Sequence, residues 1–283
     1  MIQLTQFAAE SSPHVSLAAE SMFEIAGVHI TNAMLLGVVG YVVLIASLLY
    51  VVHVVKRQKK RGFFVKLVVW GYEALLATVE NVIGDKKLAR SIAPLPITIF
   101  FFVLTQYYLG ILPIVGPITH DGTPLFRGFA ADLNTTFGLA IIFLVTAQIY
   151  AVKVHGFFGN AGRYLRNPFK DPAGAFEGIL EIIAEFSRTV ALSLRLFGNV
   201  FAGEVLLVMV AFLTHYFAVV ALPPFYIFEL FIGGIQAYIF FMLTTVFISL
   251  GTMTHGGHEE NSRDSPDHSI ADTGKPTSVA ARE

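Results

Sequence analysis

The chain of 283 residues is 55% hydrophobic and 14% charged, with a net charge of −1 and no cysteine. Soluble domains carry roughly 25% charged residues, and several apolar stretches here reach the ~20 residues that cross a bilayer, so the composition points to an all-α integral membrane protein. The near-zero net charge offers no basic field for nucleic acid, and the lack of cysteine excludes disulfides, thiol catalysis and cysteine-ligated metal sites.

Residues 1–30 contain no Lys or Arg and no small-residue cleavage pattern after a short apolar core, so they read as an extracytoplasmic segment and not as a signal peptide. A first span is expected over 31–55, long enough to cross with some tilt, and it stops at Lys56-Arg57-Gln58-Lys59-Lys60-Arg61. Residues 63–83 mix Lys66, Glu73 and Glu80 with Phe, Val, Leu and Trp70, the composition of an amphipathic helix lying in the interface. A second span over 93–115 opens with Pro94 and Pro96, tolerated in a first helical turn whose N–H groups lack partners anyway. The polar loop that follows has Arg127 as its sole Lys or Arg, and a third span over 136–154 runs into Lys153, Arg163, Arg166 and Lys170.

Every Lys and Arg before residue 175 except Arg127 falls on one side of this arrangement. The positive-inside rule then puts the N-terminus outside and Lys56–Arg61 and Arg163–Lys170 in the cytoplasm. Two long apolar segments remain, 175–213 and 224–253, separated by THYFAVVALPP. The first, about 39 residues, would measure roughly 58 Å as one helix, too long to stand upright in a core ~30 Å thick. The expected fold is therefore about five membrane helices plus the interfacial helix, the last two spans forming a long, steeply tilted hairpin. The membrane domain is expected over 31–254. Residues 255–283 carry Asp, Ser, Pro, Lys and Glu with almost no large apolar residues and read as a disordered cytoplasmic tail.

The charged residues within the last two spans carry the functional signal. Glu177, Glu181 and Glu185 recur every four residues on one helix face, with Arg188 three residues after Glu185. They suit either a solvated helix start near the cytoplasm or a functional group. Arg195 is different. An Arg at the centre of a membrane helix costs about 2.5–3.5 kcal/mol on insertion scales and cannot escape by losing its proton. Its helix-face neighbours Ala191, Leu192, Gly198 and Asn199 include no counter-ion. Either it snorkels or pairs elsewhere in the chain, or an anion comes from another chain. Glu204, nine residues on, falls on the opposite face and is expected to point at the last helix, where Glu229 and Gln236 share a face beside Gly233 and Gly234. Facing carboxylates would hold one proton between them and suit a relay; the alternative is two separate wet carboxylates near the outer interface.

Beyond these physical signals, S-L-R-L-F-G-N-V-F-A-G-E at 193–204 resembles the signature of the a-subunit family of bacterial F-type ATP synthases, and I-Q-A-Y-I-F-F-M-L-T at 235–244 is similar to that family's final helix. M-F-E-I-A-G-V-H-I-T-N-A-M-L at 22–35, Y-L-G-I-L-P at 108–113 and V-H-G-F-F-G at 154–159 extend the likeness over most of the chain. The resemblance implies a non-catalytic, cofactor-free stator subunit of the bacterial inner membrane. Its implied partners are a ring of c subunits, b-type stator subunits and the rest of the complex, and its implied task is to carry protons through two offset half-channels during ATP synthesis. It implies that Arg195 faces the ring carboxylates, that Asn199, Glu204, Glu229 and Gln236 line the outer half-channel and the ring interface, and that Glu181 and Arg188 lie towards the cytoplasmic exit. Two positions depart from the family pattern. Both Glu204 and Glu229 are acids where relatives often pair an acid with His, and Tyr107 stands where many carry Asn.

A stand-alone ion-coupled secondary transporter with Arg195 as an anion clamp is the alternative, but such folds show internal repeats, which this sequence lacks. His255 and His258 in T-H-G-G-H-E-E offer too few ligands for a zinc site, so no metal is expected.

Overall fold

The computed structural model describes residues 19–25, 28–57, 62–112, 119–120, 123–164 and 172–252. Strands β1 (Ser21–Ile25) and β2 (Val28–Thr31) pair antiparallel and lead into helix α1 (Asn32–Lys56). Thr31 starts that helix: its Oγ1 accepts a 3.3 Å hydrogen bond from the Met34 amide, satisfying one of the first-turn donors. Lys56 in the last turn meets the negative end of the helix dipole.

Helix α2 (Phe63–Ile83) ends at Gly84, whose φ of +80° reverses the chain. The short helix α3 (Lys86–Ile92), capped by the Asp85 carboxylate on the Lys87 amide at 2.8 Å, leads through Ala93 into α4 (Pro94–Ile111). A 2.9 Å ion pair between Arg90 and Glu80 ties α3 back to α2. The short strands β3 (Thr119–His120) and β4 (Thr123–Pro124) and a 3-10 turn at Phe129–Ala131 then precede α5 (Leu133–Tyr164). Asp132 caps α5 through the Asn134 amide (3.2 Å) and the Thr135 hydroxyl (3.1 Å). Gly156, at φ +74° and ψ 163°, breaks α5, a conformation that glycine adopts without steric cost.

The C-terminal hairpin consists of α6 (Pro172–Thr214) and α7 (Ala218–Thr252), joined by a single 3-10 turn at His215–Phe217. This corrects the sequence reading, which separated the arms by the whole of THYFAVVALPP. Pro223 and Pro224 lie inside α7 and do not mark its start. The turn is tight because His215 takes a positive φ of 45° and its Nδ1 sits 2.7 Å from the Phe212 carbonyl, one of the acceptors a helix end leaves open. At 43 residues, α6 is roughly 64 Å long, about twice the hydrocarbon thickness.

Among the described residues, four stretches are long and apolar enough to cross a membrane: Asn32–Lys56, Pro94–Ile111, Leu133–Lys153 and Pro172–Leu250, the last taking in both arms of the hairpin. Large apolar side chains face outwards along them, among them Val38, Leu49, Ile142, Phe186, Leu213 and Phe231, and at the hairpin tip Tyr216 is 96% exposed. The chain's own core is comparatively small. Ile99 and Val103 of α4, Phe143 of α5, Leu192 and Leu196 of α6, and Ala237 and Phe240 of α7 meet in one cluster with Ala130 from the 3-10 turn. A second cluster packs Leu75 and Val79 of α2 and Ala89 of α3 against Ile97 and Phe241. The tail at 255–283, including His255 and His258, lies outside the described residues.

Candidate functional site

Helix α6 divides into two faces. Leu192, Ser193, Leu196 and Gly203 are buried, and Ser193 donates a 3.1 Å hydrogen bond to Thr136 of α5. Ser187, Ala191, Leu194, Arg195, Gly198 and Ala202 are exposed, and their spacing places them on one stripe of the helix. Arg195 thus stands in a strip of mostly small side chains. A side chain added at Gly198 would meet no other atom within 4 Å. Among the described residues Arg195 has no ion-pair partner in its own chain, and small side chains of this kind allow close approach of a helix.

The opposite face meets α4 and α7. Glu229 is 3% exposed, and one of its carboxylate oxygens accepts a 3.0 Å hydrogen bond from the hydroxyl of Tyr107, itself buried. Gly203 makes room for that carboxyl, since a methyl group there would overlap it; Gly233 likewise makes room for the Tyr107 ring. Tyr108 adds a 3.1 Å hydrogen bond from its hydroxyl to the Leu230 carbonyl. One turn along α6, the Asn199 amide donates to Gln236 Oε1 at 2.9 Å. Gln236 is fully buried, and its Nε2 has no hydrogen-bond partner.

Glu204 does not turn to Glu229. Neighbouring helix positions differ by 100°, so with Gly203 against α7, Glu204 is rotated away. Its Oε2 lies 3.5 Å from Nε of Arg127, whose guanidinium also stands over the Phe201 ring at 5.9 Å from its centroid. Arg127 is 5% exposed. The two acids that the sequence suggests as a facing pair therefore have separate partners, Arg127 for Glu204 and Tyr107 for Glu229. Sequence reasoning gave neither partner a role. The signal for Arg127 was its isolation, as the sole Lys or Arg between α4 and α5.

Towards the other end of α6, Glu181 is half-buried. Arg188 does not pair with Glu185: its guanidinium lies 4.7 Å from the centre of the Phe247 ring, a cation–π contact. The Glu185 carboxylate instead accepts from Gln148 Nε2 of α5, at 2.8 and 2.9 Å. Of the seven residues singled out in the sequence, the fold thus joins Asn199 to Gln236, gives Glu204, Glu229 and Arg188 other neighbours, and leaves Arg195 facing outwards. Among the described residues no group of three or more His, Asp or Glu is placed to hold a metal ion.

Residues 34–249 match the family described as ATP synthase A chain. The chain is 35% identical over 194 residues to ATP synthase subunit a of Stutzerimonas stutzeri, covering 66% of this chain and 67% of the relative. It is 32% identical over 191 residues to the subunit a of Psychromonas ingrahamii, covering 65% and 72%. With that of Mycobacterium ulcerans it shares 33% identity over 172 residues, covering 60% and 66%.

Proposed function

Because the chain belongs to the ATP synthase A chain family, a non-catalytic channel subunit of the rotary ATP synthase, we propose that it is the stator across which protons pass to turn a ring of c subunits. The single observation that carries this reading is Arg195: a permanent cation on an exposed strip of mostly small residues, with no ion-pair partner among the described residues of its own chain. Such a cation needs a partner carboxylate, and a strip of small side chains lets a ring helix bring one close.

The subunit crosses the inner membrane five times, with its N-terminus outside and its C-terminus in the cytoplasm, and α2 lies in the interface. Its neighbours are the c ring and b-type stator subunits. Two aqueous half-channels, offset along the ring, each reach part way into the membrane. A proton from outside passes the Glu204 and Glu229 side of α6, where the Asn199–Gln236 pair joins the hairpin arms, and protonates a ring carboxylate. The neutral carboxyl then turns into lipid, where an ionised one would cost several kcal/mol. After nearly a full rotation it reaches the cytoplasmic half-channel, beside Glu181 and Arg188, and releases its proton.

Arg195 stands between the two channels. Its charge favours the ionised form of the ring carboxylate arriving beside it, and it repels any proton that would cross without turning the ring. The driving force is about 2.3 kcal/mol per proton for each 100 mV of membrane potential, together with any pH difference. Replacing Arg195 by Ala in the assembled complex tests the reading. Proton-driven ATP synthesis is expected to disappear while hydrolysis by the soluble sector continues; synthesis at the wild-type rate would contradict it.

A further inference from the structure

Arg127 is the one buried cation of the outer loop whose charged partner is a group already placed on the proton path. The backbone that carries it is packed against three helices. Gly128 packs against Val200 of α6, and the 3-10 turn immediately after it buries Ala130 and Ala131 and lodges Phe129 against Gly37 of α1 and edge-on to Phe102 of α4. Asp132 then fixes the start of α5. Phe201, under the guanidinium, is itself stacked on Phe197 with centroids 5.4 Å apart. Glu204 is less confined, with its side chain 39% exposed.

We propose that Arg127 is the fixed counter-ion of the outer half-channel, a positioning residue that anchors the Glu204 carboxylate each time it is ionised. The proposal rests on the reading of Glu204 as a proton-handling group. The asymmetry of the pair gives the mechanism. Arg127 cannot lose its proton, so Glu204 is the member whose charge changes. Ionised, it is drawn to the guanidinium at 3.5 Å; protonated, it loses that attraction and swings free to pass its proton inwards; ionised again, it returns. The Tyr107 hydrogen bond keeps Glu229 on a separate anchor, so the two acids act as successive stations and do not share one proton.

The test measures proton-driven ATP synthesis per assembled complex in membrane vesicles carrying Arg127→Gln, Arg127→Lys, Glu204→Gln or the double substitution Arg127→Gln/Glu204→Gln. For a coupled pair, Arg127→Gln is expected to slow synthesis about tenfold, Arg127→Lys, whose ammonium the ionised Glu204 carboxylate beside it keeps charged, to recover it to within about threefold of wild type, and the double variant to be no slower than Glu204→Gln alone. A wild-type rate in Arg127→Gln, a Lys variant as slow as the Gln variant, or effects that multiply in the double variant would each overturn the proposal. Should Arg127→Gln not assemble, the Lys variant decides: assembly with most of the activity supports a requirement for charge, and assembly with about a tenfold loss overturns it. Slow Glu204→Gln beside an unimpaired Arg127→Gln refutes this inference alone, whereas wild-type rates in both refute the underlying reading of Glu204.

Discussion

The Glu229 carboxyl fills the space that Gly203 leaves on α6, and the Tyr107 hydroxyl donates to it at 3.0 Å. One acid thus joins three helices, α4, α6 and α7. The contact requires glycine because any side chain at 203 would overlap the carboxyl.

Gly203→Val should therefore force α6 and α7 apart. Overpacking of this kind costs about 1–3 kcal/mol. Thermal unfolding of the purified complex in detergent is expected to begin at lower temperature, with less of the variant subunit retained in the complex. Unchanged stability would mean that Glu229 moves aside freely.

Tyr107→Phe removes a donor from a buried acceptor while keeping the ring against Gly233. Leaving such a group unpaired costs about 1–3 kcal/mol. The variant is expected to assemble and to synthesise ATP several-fold more slowly, with the loss confined to proton-coupled steps. Equal rates for the variant and the parent would exclude a role for the hydroxyl.

Glu204→Gln is expected to slow proton uptake from the outer side more than Glu181→Gln does, because the proposed path takes Glu204 on the uptake side and Glu181 beyond Arg195. Proton flux in vesicles of both orientations distinguishes the two. The reverse ordering would exchange the channel assignments.

Arg195→Lys should not preserve coupling. A lysine ammonium can shed its proton in a poorly solvated place, whereas the guanidinium keeps its charge. ATP synthesis by this variant is expected to fall towards that of Arg195→Ala, and full synthesis would show that any cation suffices.

Sequence patterns disclosed the membrane class through a low charged fraction and apolar length, and helix periodicity put Arg195 and Glu204 on opposite faces. Those properties are local to one helix. The partners were not legible, because they depend on how separate helices meet. Arg127 reaches Glu204 from a loop 77 positions earlier in the chain (204 minus 127). Tyr107 reaches Glu229 only because Gly233 admits its ring. The hairpin turn differs for another reason: a proline inside a helix removes a backbone hydrogen bond and usually marks a boundary, yet α7 starts at Ala218 and runs on through both Pro223 and Pro224.

Cross-linking tests most directly whether the missing anion of Arg195 comes from a ring of small subunits. The chain has no cysteine, so Gly198→Cys introduces a single thiol, one turn from Arg195 on the exposed strip and with open space before it. Paired with cysteines placed one at a time along the c-subunit helix beside its carboxylate, it is expected to form a disulfide with the c subunit in intact membranes. Failure to cross-link at every c-subunit position in fully assembled complexes would contradict it.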